Sequence, residues 1–294
     1  MSEDPRWPRA SAWLAAGRRP ADLAVLGVPT HLTSISPTGA AATPAAIRAA
    51  LARYSTYAPT HGIDLASVQA FDAGDVVDPD LDEAAVIDRA RAAAAGSRLL
   101  VALGGDNSLT YGVALGVWGE DADSAGLVTL DAHHDLRDGV SNGSPVRRLV
   151  EAGLAGTRVV QVGIADFANS ADYAARAREY GITVISRGAL RTRPMADAMT
   201  EALAIAASGG GPVHVDLDVD VCDRAAVPGC PAAAPGGISA DDLRQAAFLA
   251  GRSPVVASLD ITEIDATADA PDLRTVRLGA LLVLEAACGL ALRV

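Results

Sequence analysis

The chain predicts an α/β protein in which a largely parallel sheet is wrapped by helices, and two observations carry that prediction. Apolar runs of strand length alternate with alanine-rich segments of helical length, and polar residues gather just past several of the runs. The runs are LAVLGV (23–28), LLVAL (99–103), GLVTL (126–130), RVVQVGI (158–164), ITVI (182–185), PVHVDLD (212–218) and VVASLDI (255–261). Their dense Val, Leu and Ile content reads as strands buried on both faces. Between them lie TPAAIRAALARY (43–54), DEAAVIDRARAAAAG (82–96), SADYAARAREYG (170–181), MADAMTEALAIAASGG (195–210) and SADDLRQAAFLAG (239–251). Several open on Ser, Thr or Asp and close on Gly, as helices do. No internal repeat interrupts this rhythm, and the Pro- and Gly-rich CPAAAPGG is too short to separate domains, so residues 1–294 are expected to form one domain.

Composition narrows the function classes. With 294 residues, 50% of them hydrophobic, the chain can bury a sizeable core. A formal net charge of −12 disfavours nucleic acid and anionic membranes as partners and favours a small molecule, a cation or a metal. Cys222, Cys230 and Cys288 lack CxxC spacing, which suggests neither a zinc ribbon nor a disulfide framework and fits a reducing cytoplasm. The charged, proline-bearing start and the lack of any long apolar run predict a soluble, intracellular protein.

In an open parallel sheet, ligands bind outside the carboxyl ends of the strands. Four strand ends carry unusual residues. In LLVALGGDNSLTYG, Gly104, Gly105, Asp106 and Asn107 follow a strand; neither phosphate-cradling glycine pattern is present, and a plain turn capped by Asp106 or Ser108 is the competing account. In LVTLDAHHDLRDG, Asp131, His133 and Asp135 stand at alternate positions, so extended backbone would turn all three to one side and His134 away. In HVDLDVDVCD, Asp216, Asp218, Asp220 and Asp223 crowd a segment otherwise fit for a core. In SLDITEIDATAD, Asp260, Glu263, Asp265 and Asp269 follow another apolar run, where helix N-termini also attract acids. Carboxylates pooled in one cleft repel one another and resist burial unless a cation neutralises them. Mixed carboxylate and imidazole donors without thiolate suit Mn²⁺ or a similar divalent ion, and shared carboxylates suggest two ions.

These motifs, in this order, resemble the ureohydrolases: arginases, agmatinases, guanidino-acid hydrolases and formimidoylglutamases. The resemblance runs from VLGVP and TPAAIRAAL through GGDNS, DAHHD and DLDVDVCDRAAVPG to PGGIS and SLDITEID. It implies a three-layer α/β/α arginase-like fold, two Mn²⁺ ions at the strand ends, and hydrolysis of a guanidine or amidine carbon by a metal-bridging hydroxide. Carried over, it implies Asp131, His133, Asp135, Asp218 and Asp220 as metal ligands, Asp131 and Asp218 bridging. Asp223 matches a structural acidic position, although Arg224 replaces the customary proline. Glu263 falls where the family holds the cationic nitrogen of the substrate, and Asp135 where it also assists the attacking hydroxide.

Two positions depart from the pattern. Asn107 stands where a histidine usually binds the first metal, so it is expected to offer a weaker amide oxygen and leave that ion labile. Asn142, in SNGSP, stands where arginases carry a histidine. These departures look most like the formimidoylglutamase branch. Arg137 is expected to bind a substrate carboxylate, with Arg147 and Arg148 as competitors, and Asn142 and Ser144 to contact substrate. The expected activity is conversion of N-formimidoyl-L-glutamate to L-glutamate and formamide in histidine degradation, by a cytoplasmic homo-oligomer. An agmatinase or guanidino-acid hydrolase is the alternative within the class, and a decayed, non-catalytic binding subunit the alternative outside it.

Overall fold

The structure is a computed structural model that describes residue 4 and residues 6–293. Residues 1–3, 5 and 294, part of the single unit expected over 1–294, lie outside the described residues. Among the described residues, strands β1 (Leu23–Val28), β2 (Ala70–Asp75), β3 (Leu99–Gly104), β4 (Gly126–Leu130), β5 (Val159–Ile164), β6 (Thr183–Ser186), β7 (Val213–Asp218) and β8 (Val256–Thr262) form one sheet. Its order is β2-β1-β3-β8-β7-β4-β5-β6, and every pairing is parallel. The helices are α1 (Ala10–Ala15), α2 (Thr43–Ala50), α3 (Glu83–Ala94), α4 (Leu109–Trp118), α5 (Pro145–Glu151), α6 (Ala171–Glu179), α7 (Arg187–Leu190), α8 (Met195–Ala206), α9 (Ala240–Arg252) and α10 (Arg274–Ala291).

Strand alternation divides the core between the two faces. Leu23, Val25, Leu99 and Val101 pack with α2, α8, α9 and α10 on one face, while Ala24, Leu26, Leu100 and Ala102 meet α3 and α4 on the other. Further along that second face, Leu127 and Val159 pack with α4, α5 and α6. The result is the three-layer α/β/α arrangement. Expected helix starts are realised by side chains: Asp82 accepts from Ala85 N–H, Ser170 from Tyr173 N–H, and Ser239 forms a reciprocal capping box with Asp242.

Six of the apolar runs are buried along both faces. The seventh, ITVI, is the edge strand β6, where Ile185 is buried but Val184 is exposed. The opposite edge, β2, has the sequence AFDAGD and offers no apolar run to read. It pairs on one side only, with β1, and its Asp72 and Asp75 both receive Arg48 of α2. Helix α10 also lacks a sequence start signal: Leu273 precedes it in left-handed backbone with no side-chain cap.

Strand order places the site. The chain builds β1, β2 and β3, then starts the other half at β4, and later inserts β7 and β8 between the halves. The four polar strand ends belong to β3, β8, β7 and β4, which are consecutive neighbours at the centre of the sheet. Their following loops therefore meet over one crevice.

Candidate active site

The end of β3 is drawn close to its surroundings by two glycines. A Cβ at Gly104 would lie 2.7 Å from the Ile261 carbonyl, and one at Gly105 would lie 2.3 Å from that of Thr30. The Gly105 carbonyl then accepts from Glu263 N–H at 2.9 Å, which ties the end of β3 to the end of β8. Asp106 folds back onto Ser108, accepting from its backbone N–H and its hydroxyl, as the turn account expects.

Beyond β4, the residues after Leu130 do not continue as strand, and Asp135 sits in left-handed backbone at φ 53°. Simple extended alternation therefore does not bring Asp135 to the crevice; a turn does. Asp131 and His133 are joined by Asp220, which reaches them from β7, and each offers a donor atom within 4.8 Å of the others. His133 Nδ1 lies 2.7 Å from Asp220 Oδ2 and 3.4 Å from Asp131 Oδ1. His134 does turn away, into a buried contact with Gln161. Strand β7 ends at Asp218, and a short 3-10 turn over Val219–Val221 swings Asp220 round so that its N–H binds Asp218 Oδ1. Asp216 is fully buried within β7 beside Asp260, not on a solvated edge. Asp223 accepts from Ala225 and Gly236 N–H and serves its own loop.

From β8, Glu263 arrives in left-handed backbone at φ 64°. Its Oε1 accepts from Asn107 N–H at 2.8 Å and from Asn142 Nδ2 at 2.9 Å. Asp265 accepts from the Gly39 and Thr267 N–H groups and the Thr267 hydroxyl, and Asp269 from the Thr275 hydroxyl and Val276 N–H at the start of α10.

One cavity of about 320 Å³ opens over this cluster, lined among others by His133, Asp135, Asp218, Asp220 and Glu263, with Arg137 and Asn142. Arg147 is engaged by the carbonyls of Arg137 and Gly139 and by Glu151, and Arg148 by a two-bonded pair with Glu83, so neither competes for that cavity. Arg137 lies across Gly143, where a Cβ would sit 2.7 Å from the arginine Cδ. Ser144 is not brought to the cavity: it is fully buried, and its hydroxyl bonds to Ser141 within the turn.

Asn107, expected as an amide-oxygen ligand, is hydrogen-bonded at both ends of its amide. Its amide oxygen accepts from Thr110 Oγ1 at 2.7 Å, while its Nδ2 donates to Asp135 Oδ2 at 2.6 Å. A buried carboxylate demands a donor, and the Asn107 amide supplies one to Asp135.

Burial and mutual charge dominate the electrostatics. Burial, with the charge of Asp220, pushes Asp131 up to about 6. Burial and neighbouring carboxylates also hold Asp135 and Asp218 well above the usual range. Burial raises Glu263 to about 7 against the pull of its Asn142 and Asn107 hydrogen bonds. Burial alone would lower His133, but hydrogen bonds to Asp131 and Asp220 and their charges push it up to about 12. Burial would likewise raise Asp220, yet the His133 hydrogen bond and charge overcome it and hold the acid below its usual value.

The residues fit a divalent ion. Asp131 Oδ2 is buried without any hydrogen-bond partner, an arrangement that is costly unless a cation meets it. The nearby donors are oxygen and imidazole nitrogen, the set suited to Mn²⁺-like ions. Asn169, Tyr173, Ile35 and Ser36 also line the cavity and were not anticipated. Asn169 lies just past the apolar run of β5, so the polar residues after that strand were the available signal.

Among the described residues, no helix is long and apolar enough to cross a membrane. A family profile described as the arginase family matches residues 21–289. Formimidoylglutamase of Halalkalibacterium halodurans is 35% identical over 266 residues, covering 86% of this chain and 82% of its own. Formimidoylglutamase of Bacillus subtilis is 31% identical over 283 residues, covering 92% and 87%. A crystal structure of the Bacillus subtilis protein matches with a TM-score of 0.93 at 30% identity, covering 100% of this chain and 95% of that one. Trypanosoma cruzi formiminoglutamase with Mn²⁺ shares the fold at 24% identity, with a TM-score of 0.88 and 98% and 100% coverage. With a profile match across nearly the whole chain and a carboxylate–histidine cluster at the central strand ends, this chain belongs to the arginase family.

Proposed function

We propose that the chain is a formimidoylglutamase, which hydrolyses N-formimidoyl-L-glutamate to L-glutamate and formamide. The observation that carries this reading is one cavity lined by two chemically distinct sets of groups. Buried carboxylates and His133 line it, and so does Arg137, alone of the three candidate arginines. The substrate has the matching polarity, a basic amidine at one end and carboxylates at the other. Curated relatives at 31–35% identity bear the same activity in their names.

Asp131, His133, Asp135, Asp218 and Asp220 would hold the metal, and Mn²⁺ is the ion this donor set favours. When bound, such ions supply Lewis acidity that makes water nucleophilic near neutral pH and polarises the carbon under attack. Imidazole must surrender its Nδ1 proton to act as ligand, so His133 releases a proton on loading. Glu263 is fixed through Oε1 by Asn107 and Asn142, which leaves Oε2 to face the amidinium nitrogen. Asp135 lines the cavity and its Oδ2 accepts from the Asn107 amide at 2.6 Å, which places a held carboxylate where it would pass a proton to the departing glutamate nitrogen. Arg137 pairs with a substrate carboxylate and sets the orientation. We also read residues 1–294 as one ureohydrolase unit, since eight strands spread from Leu23 to Thr262 share a single sheet. Its setting would be histidine breakdown in a reducing cytoplasm, in keeping with three free, buried thiols.

The test is a substrate panel on Mn²⁺-loaded protein, comparing N-formimidoyl-L-glutamate, agmatine and guanidinopropionate with product identification. Formamide and glutamate in equal amounts, formed fastest from the first compound, support the reading. Faster turnover of agmatine or guanidinopropionate overturns it.

A further inference from the structure

His133 is carried by a loop, and polar side chains with no part in the steps above fix the backbone on both sides of it. Asn169 Oδ1 accepts from His134 N–H at 2.9 Å, and its Nδ2 donates to the Ala132 carbonyl at 2.9 Å. One amide therefore bridges the residues immediately before and after His133. Gln161, fully buried in β5, donates from Nε2 to the His134 carbonyl at 2.8 Å, and its Oε1 meets His134 Nδ1 at 2.6 Å. A glutamine inside VVQVGI is costly to desolvate unless both ends of its amide are satisfied, and His134 alone satisfies both. That accounts for the second histidine of the pair: with the proton on Nδ1 it donates to Gln161, while its neighbour faces the carboxylates.

We propose that Asn169, together with the Gln161–His134 pair, is a positioning clamp that holds the His133 imidazole toward Asp131 and Asp220. The clamp rests on the reading of His133 as a metal ligand. A ring on an irregular loop keeps its place only if the peptides flanking it are held, and groups behind a ligand set the strength of metal binding. Asn169 also lines the cavity beside Ala168, Ser170 and Tyr173. The same side chain thus joins the substrate wall to the metal-binding loop. These are positioning residues, since the amide of Asn169 is engaged by the Ala132 carbonyl and the His134 N–H, and that of Gln161 by His134.

The experiment is a calorimetric titration of metal-free protein with Mn²⁺, on the parent chain, Asn169→Ala, His133→Ala and Phe167→Ala. Phe167 sits on the same loop, fully exposed. Asn169→Ala should weaken Mn²⁺ binding by about ten- to a hundredfold, the range for lost groups behind a ligand, while Phe167→Ala leaves it unchanged. If Asn169→Ala binds Mn²⁺ within twofold of the parent while His133→Ala binds it poorly, the clamp is wrong and the ligand assignment stands. If His133→Ala also binds normally, the ligand assignment fails and the clamp with it. Should Asn169→Ala not fold, Asn169→Asp carries the same comparison, because it keeps the acceptor for His134 N–H and loses the donor to Ala132.

Discussion

The side-chain amide of Asn142 donates to Glu263 Oε1 at 2.9 Å, and this bond stabilises the charged form of an acid that burial pushes up to about 7. Removing it in Asn142→Ala should raise the Glu263 pKa further, because only the ionised carboxylate gains from the donor. A charge-assisted hydrogen bond of about 1.5 to 3 kcal/mol corresponds to about one pH unit or more. The acid limb of kcat/KM against pH should therefore move upward by about that amount. A profile that keeps its acid limb in place would separate Glu263 from the step that limits activity.

Asp131 and Asp218 are the proposed bridging ligands, and both are buried among other carboxylates. Asp131→Ala and Asp218→Ala should each lose bound Mn²⁺ and turnover together. Elemental analysis of the folded variants is the check; undiminished Mn²⁺ in both would move the metal elsewhere.

Arg137→Ala should raise KM for N-formimidoyl-L-glutamate by about tenfold or more, as expected for one lost charged hydrogen bond of about 1.5 to 3 kcal/mol. Its neighbours cannot take over readily, since Arg147 and Arg148 are already paired. Steady-state kinetics decide this, and an unchanged kcat/KM removes Arg137 from the site.

Metal stabilisation should depend on pH in a definite direction. Asp131 rises from an ordinary 3.8 to about 6 on burial, so the folded, metal-free chain holds that proton more tightly than the unfolded one. That contribution is fully present below the ordinary value and is lost as pH rises through about 6; the Glu263 contribution is lost through about 7. A bound cation compensates the charge that remains. The rise in Tm on adding Mn²⁺ should accordingly be larger near pH 7.5 than near pH 5, where protons compete with the metal. Thermal unfolding at the two pH values tests this, and equal shifts would contradict it.

Periodicity alone made most of the sheet legible. Leu23–Val28 and Gly126–Leu130 begin and end where their apolar runs do, because central strands are buried on both faces. At the edges that signal fades: AFDAGD of β2 buries only Ala70 and ties Asp72 and Asp75 to Arg48, and its pattern resembles a loop. In the site, residue type and spacing pointed to Asp131, His133 and Asp220, although 87 residues separate the last two. Spacing could not foretell how they meet. Asp135 and Glu263 reach the cavity through left-handed backbone at φ 53° and 64°, and neither residue type announces that conformation. The orientation of the Asn107 amide, decided by Thr110 on one side and Asp135 on the other, is equally a product of tertiary neighbours. Ser144 belongs to a local turn that the SNGSP pattern does not distinguish from a substrate contact.

The insertion of β8 between β3 and β7 has a consequence for synthesis on the ribosome. Until residues 256–262 have emerged, the sheet is interrupted at its centre, and two long apolar strands each present an unpaired edge. Glu263 follows directly on that last strand. A nascent chain released before this point therefore has neither a closed core nor a complete cavity floor, and its open edges invite pairing with other chains. Shortened products ending before residue 256 should collect in the insoluble fraction, while the full chain supplies the strand that closes its own sheet.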